Sequence, residues 1–314
     1  MRAIRLESFA AVGWRSPAVT IGNFDGVHCG HQALAAAAVE RARSQGGTAV
    51  VLTFDPHPAR LLAPERAPAA LTTAAQKQEL LAGLGIDVLA VLPFDARLAA
   101  LTPAAFAERV LCGALAARHV VVGEGFRFGR GQSGDAAQLV DLGAANGFGV
   151  EAVGSVAQGG EPVSSSRVRD ALARGAVDAA RALLGRSYFV DGTVVVGDQR
   201  GRTIGVTTAN LAPENEILPA RGVYAARCRL ADGRWLSAVV NVGSRPTFGG
   251  GLLRVEAHLL DFAGDVYGTA LRVAFEQRLR DERRFAGREA LVAQIQEDIA
   301  RARALLSAAT GGGV

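Results

Sequence analysis

Two histidines three positions apart, His28 and His31, close a stretch from Thr20 to His31 that reads TIGNFDGVHCGH. Imidazole nitrogens at this spacing can donate to phosphate oxygens or ligate a metal. The β-formers Ala18-Val19-Thr20-Ile21 run into Gly22, Gly26 and Gly30 follow, and an alanine-rich helical pattern occupies Ala33 to Arg43. A strand end, a glycine turn and a helix N-terminus aim backbone N–H groups at an anion. Two imidazoles at that place point to a polyphosphate. The competing metal reading is weaker: His-x-x-His sets both rings on one helical face, but no cysteine pair or acidic partner stands at ligand spacing. A single histidine would more often satisfy a core hydrogen bond; a pair in this glycine context favours function.

Three further clusters carry usable chemistry. In Ser164-Ser165-Ser166-Arg167-Val168-Arg169, Ser165 or Ser166 is expected to cap the helix that ends before Gly175. Arg167 and Arg169 are two apart and point to different sides, so at most one faces an anion, and Arg169 is favoured. Thr207-Thr208-Ala209-Asn210 offers a hydroxyl and a carboxamide on one side of an extended segment, both neutral oxygen ligands for a hard cation such as Mg²⁺. It follows Gly197 to Gly205, a second glycine-spaced loop, with Gly201 and Gly205 within it, that taken alone is weak evidence for a nucleotide site. In Val255-Glu256-Ala257-His258-Leu259, alternation puts Glu256 and His258 on one face. A carboxylate there can take the proton of an attacking hydroxyl, although a charged strand residue taken alone is more often a solvated face.

The elements that must position these groups fall into two textures. From Val19 to about Leu184 strands and helices alternate. Strands are expected at Ala18–Ile21, Thr48–Phe54, Val88–Leu92, His119–Val122 and Gly149–Val153, and helical stretches include Ala104 to Val110 and Gln138 to Ala145. Apolar runs such as Ala49-Val50-Val51-Leu52 fit a parallel sheet covered on both faces, whose ligands bind at the carboxyl ends of strands. After Leu184, strands rich in Val and Tyr (Tyr188–Val196, Val223–Arg229, Leu236–Val242, Val255–Leu260, Leu271–Glu276) predict an antiparallel barrel or sandwich. One helix closes the chain, with Leu291, Ile295, Ile299, Ala302 and Leu306 on a common face. The boundary is placed near residue 184.

At 314 residues the chain has room for two cores. A net charge of +4 is scattered rather than gathered, and with 6% aromatics it lacks the basic, stacking stripe of a nucleic-acid binder. Cys29, Cys112 and Cys228 form no disulfide framework, and Cys29 reads as a small filler. No apolar run approaches the length of a membrane span, so a soluble, cytoplasmic protein without membrane partners is expected.

The segments Gly22 to His31, Thr53-Phe54-Asp55-Pro56-His57-Pro58 and Ser-Ser-Ser-Arg-Val-Arg resemble those of the bacterial bifunctional riboflavin kinase/FAD synthetases. The resemblance spans nearly the whole chain. It implies an α/β nucleotidyltransferase domain with a Rossmann-like parallel sheet (residues 1–184), followed by a small antiparallel β-barrel with a C-terminal helix (185–314). The first domain would transfer AMP from ATP to FMN, giving FAD and pyrophosphate. His28, His31, Ser165, Ser166 and Arg169 would hold the ATP phosphates, with Gly22, Asn23, Phe24 and Gly30 in the same nucleotide-binding loop. Asp55 and His57 match a family segment and equally suit a turn before two prolines. The barrel would phosphorylate riboflavin to FMN, with Thr208 and Asn210 holding Mg²⁺ and ATP, Glu256 as the base, and Arg280 and Phe285 bounding a loop that orders the flavin. Gly125 stands where the family carries Asp or Asn, Ser166 where it often carries threonine, and Thr207 where it carries proline. The Gly125 difference keeps a second reading, a riboflavin kinase with an impaired first domain; a flavin-binding protein without turnover is the third.

Overall fold

A computed structural model describes residues 1–7, 9, 13–196, 208–244 and 253–308. Gly201, Gly205 and Thr207 lie outside them. The chain divides into two compact units, Met1–Ser164 and Ser165–Val314.

The first unit is a six-stranded, wholly parallel sheet. Its strands are β1 (Arg2–Arg5), β2 (Ala18–Ile21), β3 (Ala49–Asp55), β4 (Val88–Pro93), β5 (His119–Gly123) and β6 (Gly149–Val153). They lie side by side in the order β1-β4-β3-β2-β5-β6. The chain builds outward from β2 to one side through β3 and β4, then returns to β2's other side with β5. Between β2 and β5 the winding direction reverses, and a crevice opens there at the carboxyl ends of the strands. Helices α1 (Cys29–Ser44), α2 (Ala74–Gly83) and α3 (Ala136–Asn146) cover the faces, with Pro103–Phe106 running into a π-helical turn at Ala107–Ala114. Strand alternation sorts the core into two layers. Val19, Ile21, Val50 and Leu52 meet the π-helical stretch and Leu139 of α3 on one side. Ala18, Ala49 and Val51 meet Ala35 and Ala42 of α1 and Leu81 of α2 on the other.

The second unit opens with helices α4 (Ser165–Ala173) and α5 (Val177–Leu184). Six antiparallel strands follow: β7 (Tyr188–Val195), β8 (Ala209–Pro213), β9 (Gly222–Leu230), β10 (Trp235–Ser244), β11 (Leu253–Leu259) and β12 (Ala270–Arg280). They close into a barrel in the order β7-β8-β11-β10-β9-β12. Closure removes the exposed edges that an open sheet this small would present. Helix α6 (Arg288–Ala308) packs Ala302 and Leu306 onto Val223, Ala225 and Leu279.

Three expectations change. Helix α1 begins at Cys29, four residues before the alanine-rich run, because His28 itself caps it. Helix α4 begins at Ser165, so the cap position falls to Ser164 rather than to Ser165 or Ser166. On α6 the predicted face holds at Ala302 and Leu306, but its most deeply buried polar positions are Gln294 and Asp298. Asp298, 2% exposed at its side chain, takes a two-pronged ion pair from Arg280 and a hydrogen bond from Gln294 Nε2 at 2.9 Å. A buried carboxylate is tolerated only when paired in this way, and removing one partner strands the other charge. Asp298→Ala should therefore destabilise the barrel unit by about 3–5 kcal/mol. Urea unfolding followed by circular dichroism would show this as a lower midpoint; an unchanged midpoint would mean that α6 is held by its apolar contacts alone.

Candidate functional sites

The turn after β2 is held in a shape that costs energy. Phe24, Gly26 and Val27 all take positive φ (48°, 82° and 44°), which for a β-branched valine is a genuine outlier. Glycine adopts this region freely, whereas at Phe24 and Val27 such strain costs about 1–3 kcal/mol per residue. It persists because Phe24 and Val27 are 0% and 1% exposed, inserted into the core between β2, α1 and α2. Burying each side chain contributes about 1.5–3 kcal/mol and offsets the strain. Asp25 fastens the middle of the turn: its Oδ1 accepts from Leu71 N at 2.9 Å and Thr72 N at 3.3 Å. Thr72 Oγ1 in turn accepts from Gly26 N.

Asn23 is the turn's other anchor. Its carbonyl accepts from Lys77 Nζ at 2.8 Å and Thr53 Oγ1 at 3.2 Å, and its side-chain amide lies 3.0 Å from His57 Nε2. His57 also caps the helix Pro58–Leu62 through Nδ1, so the turn-capping reading of that residue holds in the structure. Asp55 pairs with Arg5 at 3.0 Å.

The two histidines stack, with ring centroids 3.7 Å apart and planes 17° from parallel. They do not project as equivalent positions of one helix face. His28 is the cap and His31 the third helical residue, and His28 Nδ1 accepts from His31 N at 3.3 Å. An accepting Nδ1 leaves Nε2–H as the donor of the neutral His28 ring. The Phe24 ring lies 4.9 Å from that of His31. His31 Nδ1 is buried and has no hydrogen-bond partner among the described residues. Burial first, then the charges of His28 and Lys77, pull the His31 pKa well below the ordinary histidine value. Lys77 is itself lowered by burial, with Asp25 and Asp55 acting in the opposite direction.

The loop glycines serve close packing. A β-carbon on Gly22 would press on the Phe24 ring at 3.3 Å, and one on Gly30 would stand 3.2 Å from His28 Cε1. Gly125 lies two residues beyond the end of β5, and a β-carbon there would meet nothing within 4 Å. The β-carbon of a side chain at this position would therefore stand in open space.

In the barrel the register assembles a polar row. Asn210 on β8 pairs with Glu256 on β11, and Glu256 pairs with Asn241 on β10. Directly paired residues share a face, so the three half-buried side chains stand together. Their chain neighbours Ala209, Leu211, Val240, Val242, Val255 and Ala257 fill the interior. Thr208 precedes β8 by one residue, and alternation brings it to the Asn210 side. The donor set is neutral oxygen plus one carboxylate, and among the described residues no group of three His, Cys, Asp or Glu gathers as a metal site. Such a set suits a hard cation that shares its shell with phosphate and water.

The remaining expected residues are placed as follows. The Arg280 guanidinium is committed to Asp298, which makes it an anchor of the loop that follows β12. Phe285 in that loop has Arg283 over its ring at 5.0 Å and Arg280 at 5.7 Å. Glu282 reaches back to the end of β10, where a β-carbon on Gly243 would overlap its Oε1. Ser165 and Arg169 are half-buried and Ser166 exposed on the first turns of α4. Sequence reasoning did not single out Lys77, Thr53 or Asn241. For Lys77 a signal existed: it is the only lysine among 34 Lys and Arg residues.

Residues 12–167 match the family model described as FAD synthetase, and residues 184–306 match that of riboflavin kinase. A bifunctional riboflavin kinase/FMN adenylyltransferase of Pseudomonas fluorescens is 44% identical over 93% of each chain. The Escherichia coli K12 protein of the same name is 40% identical over 91% of each, and that of Bacillus subtilis 37% over 89%. This chain belongs to the bifunctional riboflavin kinase/FMN adenylyltransferase family. A crystal structure of a Streptococcus pneumoniae protein, named a macrolide-efflux protein, superposes with a TM-score of 0.88 at 31% identity, covering 96% of this chain and 98% of that one. In the family member described above, no helix of the described residues is long and apolar enough to cross a membrane.

The lowered pKa of His31, and of His119 buried near Arg41, has a thermodynamic consequence. Below the ordinary value of 6.5 the unfolded chain binds protons that the folded chain refuses. Stability of the first unit is therefore complete above that value and declines as pH falls toward the lowered folded values. Thermal unfolding should show a lower midpoint at about pH 5.5 than at about pH 7.5; in His31→Gln the decline should be smaller.

Proposed function

We infer that the chain carries out two successive ATP-dependent transfers, riboflavin to FMN in the barrel and FMN to FAD at the β2–α1 turn. Membership of the bifunctional family carries the pair of activities, with ATP as co-substrate. The observation that supports two separate sites is the presence, in different units, of a turn with two stacked imidazoles and of a polar row with one carboxylate.

In the kinase reaction the Glu256 carboxylate takes the proton of the riboflavin 5′-hydroxyl as its oxygen attacks the γ-phosphorus, and ADP leaves. Positioned general bases contribute about 10²–10⁴-fold to such a step. Thr208 and Asn210 would hold Mg²⁺, which neutralises phosphate charge when bound. Asn241 flanks the base on the strand opposite Asn210. The loop from Arg280 to Phe285 bounds the flavin, with Arg280 acting through its anchorage on Asp298. Gly201 and Gly205 are assigned to nucleotide binding by the resemblance alone.

In the adenylyl transfer an FMN phosphate oxygen attacks the α-phosphorus of ATP and pyrophosphate leaves. No covalent protein intermediate is required, so the work is charge neutralisation and alignment. His28 offers Nε2–H and His31 its half-buried ring to the phosphates, while Gly22, Asn23, Phe24 and Gly30 set the loop that carries them. Ser165, Ser166 and Arg169 are assigned to the ATP phosphates by the resemblance alone. The lack of a side chain at Gly125 removes one polar contact and leaves the imidazole pair intact, which favours two working sites over a kinase with a silent first domain. A cytoplasmic location agrees with substrates that are free metabolites.

Separation of flavins after incubation with ATP and Mg²⁺ tests the division of labour. Glu256→Gln should form FMN from riboflavin about 10²-fold or more slowly, yet still form FAD from supplied FMN. His31→Ala should convert riboflavin to FMN and stop there. FAD formed at the unaltered rate by His31→Ala, or FMN by Glu256→Gln, would overturn the assignment.

A further inference from the structure

Lys77 stands apart by composition and by place. Every other one of the 34 Lys and Arg positions in this chain is arginine. The single ammonium sits on the first turn of α2, whose start is fixed by a capping box between Thr73 and Gln76. It reaches the turn after β2 and donates to the Asn23 carbonyl at 2.8 Å, beside Thr53 Oγ1, which donates to the same oxygen at 3.2 Å. The next residue along is Phe24, with φ at 48° and its ring against His31. Two donors on one carbonyl fix the plane of the Asn23–Phe24 peptide. That plane decides whether Phe24 stays in its strained conformation beneath the imidazole.

We propose that Lys77 is a positioning residue for adenylyl transfer, pinning the Asn23–Phe24 peptide so that Phe24 and His28 hold the His31 ring in place. Arginine cannot take over, because a planar fork does not occupy the space of a compact ammonium aimed at one carbonyl oxygen. The groups facing His31 and Lys77 are His28, Asp25 and Asp55, with His57 reaching Asn23 from the end of β3. Removing the lysine charge relieves one of the causes that hold the His31 pKa down.

The inference rests on the β2–α1 turn being the adenylyl-transfer site. The test uses the full-length protein and three variants, Lys77→Met, Lys77→Arg and Thr53→Val, with FAD formation from FMN, FMN formation from riboflavin, and histidine NMR titration as readouts. Lys77→Met and Lys77→Arg should lower kcat for FAD formation roughly ten- to hundredfold, as a misplaced reacting group does, with a smaller change in KM for ATP and kinase activity retained. Thr53→Val should lower it in the same direction but less. In Lys77→Met the His31 resonance should titrate at higher pH; in Lys77→Arg it should stay near the wild-type value. If wild-type protein forms no FAD, the functional reading fails. If it does and both lysine variants match it within about twofold, or lose kinase activity in parallel, or leave His31 titration unmoved in Lys77→Met, the role of Lys77 is refuted.

Discussion

The left-handed turn between β2 and α1 is the constraint on which the first domain depends. Two non-glycine residues in sparsely populated backbone conformations, Phe24 and Val27, persist only because the surrounding structure over-determines them. Phe24 and Val27 are driven into the core, Asp25 is bound by the backbone of residues 71 and 72, and Asn23 is fixed through its carbonyl and its amide. The result is a short link from strand to helix that delivers a histidine, not a serine or aspartate, to the helix cap. His28 thereby spends Nδ1 on the backbone, which leaves Nε2–H as the donor of its neutral ring. The parallel sheet places this turn at the reversal point of strand order, where a ligand has access to the strand ends.

The barrel solves a different problem by different means. Its polar row is created by register alone: Asn210, Glu256 and Asn241 come from three strands and meet because antiparallel pairing aligns them. A one-residue slip of β11 would send Glu256 inward and Val255 out. Closure of the barrel and the apolar interior formed by Val240, Val242, Val255 and Ala257 make such a slip costly. The Arg280–Asp298 pair then fixes the loop after β12 to α6. Both sites thus use rigid packing to hold a few polar atoms, one through a strained turn and the other through strand register.

Much of this was legible in the sequence where a pattern was local. Strands β2 and β6 coincide with their expected limits, because short β-branched runs bounded by glycine or polar residues are unambiguous. Strand β1 was missed because Arg2–Arg5 is a mostly exposed edge with no apolar run. The start of α1 was missed because histidine is not among the usual capping residues. Glu256 was found through its family motif, whereas Asn241 became visible only as its cross-strand neighbour, and no local spacing relates residues on β10 and β11. Asp298 and Gln294 escaped an apolar-face reading because a buried carboxylate depends on a partner eighteen residues away in sequence. Lys77 has no motif or spacing that marks it; its one sequence signal is rarity of type.

The central claim is that one chain performs two chemically distinct transfers from ATP, of the γ-phosphoryl group in the barrel and of the adenylyl group at the β2–α1 turn. Incubating the protein with riboflavin, Mg²⁺ and ATP labelled separately at the α- and γ-phosphates follows both at once. The account predicts γ-label in FMN, and both α- and γ-label in FAD, with unlabelled-flavin controls excluding exchange. FMN carrying γ-label with no α-label in any flavin, even when FMN is supplied directly, would contradict it.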